Sequence, residues 1–209
     1  MPQPDAMSPG AGSTVLLVVD VQERFRPAIS GFDAVVAGCA RLVRAFRILG
    51  LPILVTEQYP RGLGKTVPEV ADALGLDRPG QGPVDGRPSG EGGSPGGGGP
   101  PVFEKTAFSA CGAPGILERL PAGRRLTVVV CGIETHVCVN QSVRDLLETG
   151  HAVEVCVDAV GSRKESDREV ALRKMESSGA VLTTTEMVAF ELLGDARHPK
   201  FKEVQALFK

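Results

Sequence analysis

Short apolar runs that alternate with segments of helical periodicity constrain the fold of this chain more than any other feature. The run TVLLVV at residues 14–19 is almost wholly β-branched or leucine. In the segment 33–49 that follows, apolar residues recur at helical spacing, and Gly50 supplies a helix stop. Strands without polar alternation are typical of a parallel sheet whose two faces are both covered by helices.

The same alternation continues to the C-terminus and predicts six strands. They are expected at residues 14–19, 51–57, 101–105, 125–132, 151–159 and 180–185. Helices are expected at residues 33–49 and 67–75, from an N-cap at Thr135 to a stop at Gly150, from a Ser166/Glu169 capping box to about Ser178, and in two short C-terminal segments. We therefore predict an α/β fold, a three-layer α/β/α sandwich around a mostly parallel, six-stranded, Rossmann-like sheet of order 3-2-1-4-5-6.

The length of 209 residues fits one domain. We interpret residues 1–12 as a disordered leader and residues 13–209 as a single domain. Residues 75–101 hold 11 Gly and 6 Pro, which predicts a flexible surface insertion that does not split the domain. The C-terminal segment places Phe201, Val204, Leu207 and Phe208 along one helical face, which we expect to dock on the domain rather than on a neighbouring subunit.

Composition excludes several classes of function. The chain has 23 Lys and Arg against 25 Asp and Glu, so no broad basic surface is expected and nucleic acid is not a predicted partner. Its apolar runs are shorter than the roughly 20 residues that a membrane span needs, and no membrane partner is predicted. Five cysteines in apolar segments, with no signal-like N-terminus, indicate reduced thiols and a cytoplasmic protein.

The predicted strand order places the site at the carboxyl ends of the first and fourth strands, because ligands bind where the order of the sheet reverses. Asp20 ends the first strand, and it could act as a general base, orient a nucleophile or cap a turn. Cys138 falls in the first turn of the helix after the fourth strand, where the helix dipole favours a thiolate. The alternative for Cys138 is a small apolar side chain that fills the core.

Other candidate residues follow neighbouring segments. Lys105 ends the short third strand, and its ammonium could stabilise both the carboxylate and the thiolate or lie solvated at the surface. Three aromatic residues adjoin the candidate segments and could wall an apolar substrate pocket or pack in the core: Phe25, Tyr59 and Phe108.

Three segments resemble, in order and spacing, the signature segments of the isochorismatase-like cysteine hydrolases. They are DVQ at the end of the first strand, EKTAFSA, and GIETHVCVNQSVRDLLETG. The resemblance extends from residue 13 to residue 193, and TEQYPRGLGKTVPE is similar to the isochorismatase domain-containing subgroup. It implies a triad of Asp20 as base, Lys105 as charge stabiliser and Cys138 as nucleophile, with an acyl-enzyme or thiohemiaminal-type adduct that water hydrolyses.

The resemblance also implies a cis peptide bond between Ile133 and Glu134. In the family, this arrangement turns the backbone N–H groups that match Glu134 and Cys138 toward the developing oxyanion. Relatives commonly form homodimers or homotetramers, and the resemblance extends that expectation to this chain.

Two departures from the wider superfamily narrow the predicted chemistry. Its nicotinamidases hold a metal through an Asp-x-His segment after the second strand, whereas this chain has EQYP there and three histidines in all. We therefore predict no metal and no cofactor. Isochorismatases proper usually lack a cysteine nucleophile, so Cys138 favours acyl or amide chemistry. His136 lies two residues before Cys138, and such positions on a helix do not face each other.

These observations predict a cysteine-dependent hydrolase that acts on a small amide or a related C–N or acyl substrate. The alternative from another class is a non-catalytic binding protein that keeps the fold. Hydrolysis of isochorismate, a vinyl ether, is less favoured.

Overall fold

The computed structural model describes residues 13–76, 99–120 and 125–209. Six strands form one sheet: β1 (Thr14–Val19), β2 (Ile53–Gln58), β3 (Val102–Lys105), β4 (Thr127–Ile133), β5 (Ala152–Gly161) and β6 (Val181–Thr183). All neighbouring strands are parallel, and their order is β3-β2-β1-β4-β5-β6. The predicted fold class and strand order are confirmed.

Helices cover both faces of this sheet. They are α1 (Phe32–Leu49), α2 (Pro60–Leu63), α3 (Pro68–Leu74), α4 (Asn140–Glu148), α5 (Glu165–Ser177), α6 (Thr185–Leu193) and α7 (Phe201–Gln205). Successive side chains of β1 point to opposite faces, so Leu16 and Val18 pack with α1, α3 and α6, while Leu17 and Val19 pack with α4 and α5. The central strands β1 and β4 are almost wholly apolar because both faces of the sheet are buried there.

Two predicted helix caps are wrong. The segment after β4 begins with a π-helical turn, Thr135–Val139, and the Thr135 hydroxyl is buried without a hydrogen-bond partner among the described residues. Helix α5 begins at Glu165, with Lys164 as the N-cap residue and no side-chain cap, so Ser166 already lies inside the helix. Both errors concern the first residue of a helix, which local sequence specifies poorly.

The C-terminus docks on its own domain, as predicted. Val204 of α7 is fully buried in a cluster with Ala45 of α1 and Ala189 of α6. The rings of Phe190 and Phe201 meet edge to face, with centroids 6.1 Å apart. The C-terminal segment therefore extends the layer of helices that α1 and α6 form on one face of the sheet.

The predicted leader 1–12 and residues 77–98 of the predicted insertion lie outside the described residues. Residues 75–76 and 99–101 connect that part of the chain to α3 and β3. Among the helices that the structure describes, none has both the length and the apolarity needed to cross a membrane.

Candidate active site

Strands β1 and β4 approach each other very closely where they end. Gly132 pairs with Val19, and a Cβ atom built on Gly132 would lie 2.0 Å from the Val19 carbonyl oxygen. The φ angle of Gly132 is +125°, a conformation that L side chains rarely adopt. Glycine is therefore required here, and the close approach brings Asp20 beside the turn that follows β4.

Asp20 is a fully buried carboxylate held by two neighbouring strands. Lys105 Nζ at the end of β3 donates to its Oδ2 at 2.7 Å, and Thr56 Oγ1 of β2 donates to its Oδ1 at 2.7 Å. Neither the Asp20 nor the Lys105 side chain has any exposed surface. Because a buried charge is costly unless it is paired and hydrogen-bonded, these contacts explain how the carboxylate persists there.

The Lys105 ammonium is buried, so the alternative interpretation, a lysine solvated at the surface, is wrong. Besides Asp20, its Nζ donates to Gln58 Oε1 at 2.6 Å and to the carbonyl oxygens of Phe108 and Ala107 at 2.9 and 3.2 Å. The three protons of an ammonium are fully used by these four acceptors. Lys105 therefore fixes β2, β3 and the segment after β3 around Asp20.

Sequence reasoning missed the side chains that orient this ion pair. Gln58 Nε2 donates to the Thr106 carbonyl at 2.9 Å, and the Gln58 backbone N–H donates to Gln22 Oε1 at 2.8 Å. Gln22 is fully buried and also donates to the Gln58 carbonyl at 3.0 Å. The available signal was the three polar residues Thr56, Glu57 and Gln58, which end a strand whose first three positions are apolar.

Cys138 lies in the π-helical turn after β4 and is only 5% exposed. Burial and then the negative charge of Asp20 raise the pKa of its thiol to about 12, while Lys105 acts in the opposite direction. The expectation of a resting thiolate is therefore wrong. Helix α4 begins only at Asn140, so Cys138 precedes its first turn, and burial and the nearby carboxylate both favour the protonated thiol.

Further contacts hold the turn that carries Cys138. Ser142 Oγ donates to the Cys138 carbonyl at 2.6 Å and accepts from the Ala110 N–H at 2.7 Å, which links α4 to the segment after β3. The peptide bond between Ile133 and Glu134 is cis.

Two residues at the end of β5 reach the same turn. Arg163 donates to Glu134 Oε1 from its backbone N–H at 3.1 Å and from Nε at 2.9 Å. His136 Nδ1 lies 3.0 Å from Ser162 Oγ, so its ring is directed to β5. No sequence pattern pointed to Ser162 or Arg163, because these contacts join distant parts of the chain.

A cavity of about 400 Å³ lies beside Lys105. Its lining comes from residues 59–61, residues 104–106, and Gly112 with Pro114. Tyr59 is thus part of a cavity wall, whereas Phe25 packs against the core on the α1 side and the exposed Phe108 is not among the lining residues. Lys105 connects the cavity to the ion pair, and Asp20 and Cys138 do not line it.

The described ranges contain no group of three or more His, Cys, Asp or Glu side chains that could hold a metal ion. The Asp20 carboxylate and the Lys105 ammonium are already paired with each other and with neighbouring polar atoms, and the arrangement fits acid–base and nucleophilic chemistry by side chains.

The family profile described as the isochorismatase domain matches residues 14–187. The chain belongs to the isochorismatase family. Human isochorismatase domain-containing protein 2 is 41% identical over 199 residues, which cover 95% of this chain and 84% of the human protein. Membership of this family indicates a hydrolase fold, and it does not by itself identify the reaction.

Solved structures support the same assignment. A Caenorhabditis elegans protein described as MAR1 ribonuclease has a TM-score of 0.80 and 41% identity, and the match covers 95% of this chain and 90% of that one. Escherichia coli YcaC, described as an octameric hydrolase of unknown specificity, has a TM-score of 0.76 and 21% identity, with 99% and 98% of the two chains covered. At that identity YcaC shares the fold alone.

Proposed function

We propose that the protein is a cysteine-dependent hydrolase of small amides or related acyl substrates. Cys138 is the nucleophile, Asp20 the general base and Lys105 the group that stabilises charge. The observation that carries this proposal is the buried Asp20–Lys105 ion pair beside the Cys138 thiol, at the carboxyl ends of β1, β3 and β4. Such a pair is costly to bury, and catalysis gives it a use that packing alone does not.

The chemistry follows from the raised pKa of Cys138. Its thiol stays protonated near neutral pH, so Asp20 accepts the proton as Sγ attacks the substrate carbonyl carbon. Asp20 then returns the proton to the leaving nitrogen, the C–N bond breaks, and a thioester remains on Cys138. Water, deprotonated by Asp20, cleaves the thioester to release the acid and restore the thiol.

The Lys105 ammonium donates to the Asp20 carboxylate and stabilises the sulfur as its negative charge develops. The backbone N–H groups of Glu134 and Cys138 are the proposed donors to the oxyanion. The contacts of Arg163 with Glu134 and of Ser142 with Cys138 support this role, because they fix the turn from two sides.

Other functions have less support. The C. elegans relative is described as a ribonuclease, but this chain has a net charge of -2, which disfavours a polyanionic substrate. A non-catalytic binding protein would not need an intact buried carboxylate, ammonium and thiol in one place.

All five cysteines are free thiols, which supports a reducing compartment, and we propose the cytoplasm. We also propose a homodimer or homotetramer, on the family resemblance.

The test is the release of ammonia or acid from a panel of small amides and esters. Cys138→Ala should lower turnover at least about a thousandfold, as expected for loss of a nucleophile. Cys131→Ala is the matched control, because Cys131 is also buried in this part of the chain but lies within the core.

No turnover of the panel by the wild-type protein, or turnover that survives in Cys138→Ala, would overturn the proposal. A single-stranded oligoribonucleotide belongs in the same panel. Its cleavage, unaffected by Cys138→Ala, would favour the ribonuclease function instead.

A further inference from the structure

Three charged side chains line the cavity, namely Lys105, Glu104 and Arg61, and the first two are already paired. Lys105 is saturated by Asp20, Gln58 and two carbonyl oxygens. Glu104 Oε1 accepts from Lys65 Nζ at 2.9 Å. The third side chain, Arg61, is exposed and has no ion pair or side-chain hydrogen bond with any residue that the structure describes. Within the part of the chain that the structure describes, the cavity therefore offers one cation without an acceptor.

The backbone that carries Arg61 is fixed from several sides. The Tyr59 N–H donates to the Lys105 carbonyl at 2.8 Å, and Gln22 Nε2 donates to the Gly64 carbonyl at 2.6 Å. The buried Glu57 carboxylate accepts from the backbone N–H and the hydroxyl of Thr66 at 2.8 and 2.9 Å. Ligand binding at this loop would order little more than the Arg61 side chain, which keeps its entropic cost low.

The same loop presents a flat surface beside the cation. The Tyr59 ring lies against Gly62, so closely that a Cβ atom on Gly62 would be 2.6 Å from two ring carbons. Tyr59 is nevertheless 55% exposed and lines the cavity. An aromatic face next to a guanidinium suits a ligand with a short carbon chain that ends in an anion.

We propose that Arg61 binds a carboxylate of the substrate, so that the substrate class is a small amide that carries a carboxylate besides the amide to be cleaved. A guanidinium matches a carboxylate with two parallel hydrogen bonds, and a cavity of about 400 Å³ has the size of a small-molecule site. The inference rests on the proposed amide hydrolysis for its chemistry, but the contact with the anion can be measured without turnover.

The experiment is calorimetric titration of the full-length Cys138→Ala protein, which cannot form the thioester. The probes are three matched pairs of a monoamide acid and its neutral diamide: malonamate and malonamide, succinamate and succinamide, glutaramate and glutaramide. Members of a pair have the same length, so they differ in one charge. We expect at least one acid to bind about tenfold or more tightly than its diamide, as a charge-assisted bidentate contact provides.

Substitutions assign that preference to Arg61. Arg61→Gln in the same background should reduce it to about one, while Arg44→Gln, which removes an exposed charge from α1, should leave it unchanged. Equal binding of acid and diamide in all three pairs, or a preference that persists in Arg61→Gln, overturns the inference. A preference that depends on Arg61, together with no release of ammonia from these amides by wild-type protein, keeps the carboxylate site at Arg61 but overturns the proposed reaction and with it the amide substrate class.

Discussion

The thiols of Cys138 and Cys131 are both buried, yet their surroundings differ in kind. Cys131 in β4 is fully buried with Cys39 and Cys156, and a hydrogen bond with Cys39 followed by burial raises its pKa well above the usual value. Burial also raises the pKa of Cys138, but its other neighbours are the carboxylate of Asp20 and the ammonium of Lys105. Paired charges, and not burial, distinguish the candidate nucleophile from a core thiol.

Breaking the ion pair should have the largest effect. Lys105→Ala leaves Asp20 as a buried charge without its cation, which we expect to lower the free energy of unfolding by about 3–5 kcal/mol. Urea denaturation measures this. Cys131→Ala, in the apolar thiol cluster, should cost distinctly less because it leaves no uncompensated charge.

A double substitution separates the charge from the packing. Asp20→Asn combined with Lys105→Met removes both charges and keeps most of the side-chain volume, so much of the stability lost in Lys105→Ala should return. If the double variant is as unstable as the single one, the loss comes from packing and the comparison of the two thiols loses its electrostatic basis.

The hydroxyl of Thr56 should have an intermediate effect. Thr56→Val keeps the shape of the side chain but removes the donor to Asp20 Oδ1, with an expected loss of about 1.5–3 kcal/mol in the free energy of unfolding, since the bond is to a charged group. Thr127→Val is the control, a buried threonine of β4 that makes no contact with the carboxylate. Equal losses in the two variants would show that the Asp20 contact contributes nothing of its own.

The sequence was enough to predict the fold and the convergence of Asp20 with the segment of Cys138. Apolar runs mark strands buried on both faces, and a parallel sheet brings their carboxyl ends to one edge. The partners Thr56 and Gln58 were not predicted, because their roles depend on which way side chains point at the strand ends. The roles of Asp20, Lys105 and Cys138 stay proposals until turnover is measured.

Errors were concentrated where local sequence competes with tertiary contacts. Threonine is a residue type favoured at N-caps, but at Thr135 the chain forms a π-helical turn. The preceding residue, Glu134, is held by Arg163 from the end of β5. The expectation of a thiolate at Cys138 was wrong for the same reason. The start of a helix can be predicted from the sequence, whereas the burial of the thiol and its proximity to the carboxylate at the end of β1 cannot.

The smallest effect is the most specific, and it concerns the alkylation of Cys138 by a neutral haloacetamide, followed by peptide mass spectrometry. With a pKa of about 12, the thiolate fraction rises about tenfold per pH unit, so the rate should climb without a plateau between about pH 7 and pH 10. Asp20→Asn removes a charge that raises the pKa and should speed alkylation about tenfold at a fixed pH.

Lys105→Ala removes a charge that lowers the pKa of Cys138 and should slow the same reaction by a similar factor. Cys111, whose pKa burial raises to about 11, is the internal control in each digest and should respond to neither substitution. A plateau near the free-thiol value of about 8.5, or shifts of the same sign in both variants, would contradict this description. Cys138 would then titrate independently of Asp20 and Lys105, as a core thiol does. It would differ from Cys131 only in how deeply the side chain is buried.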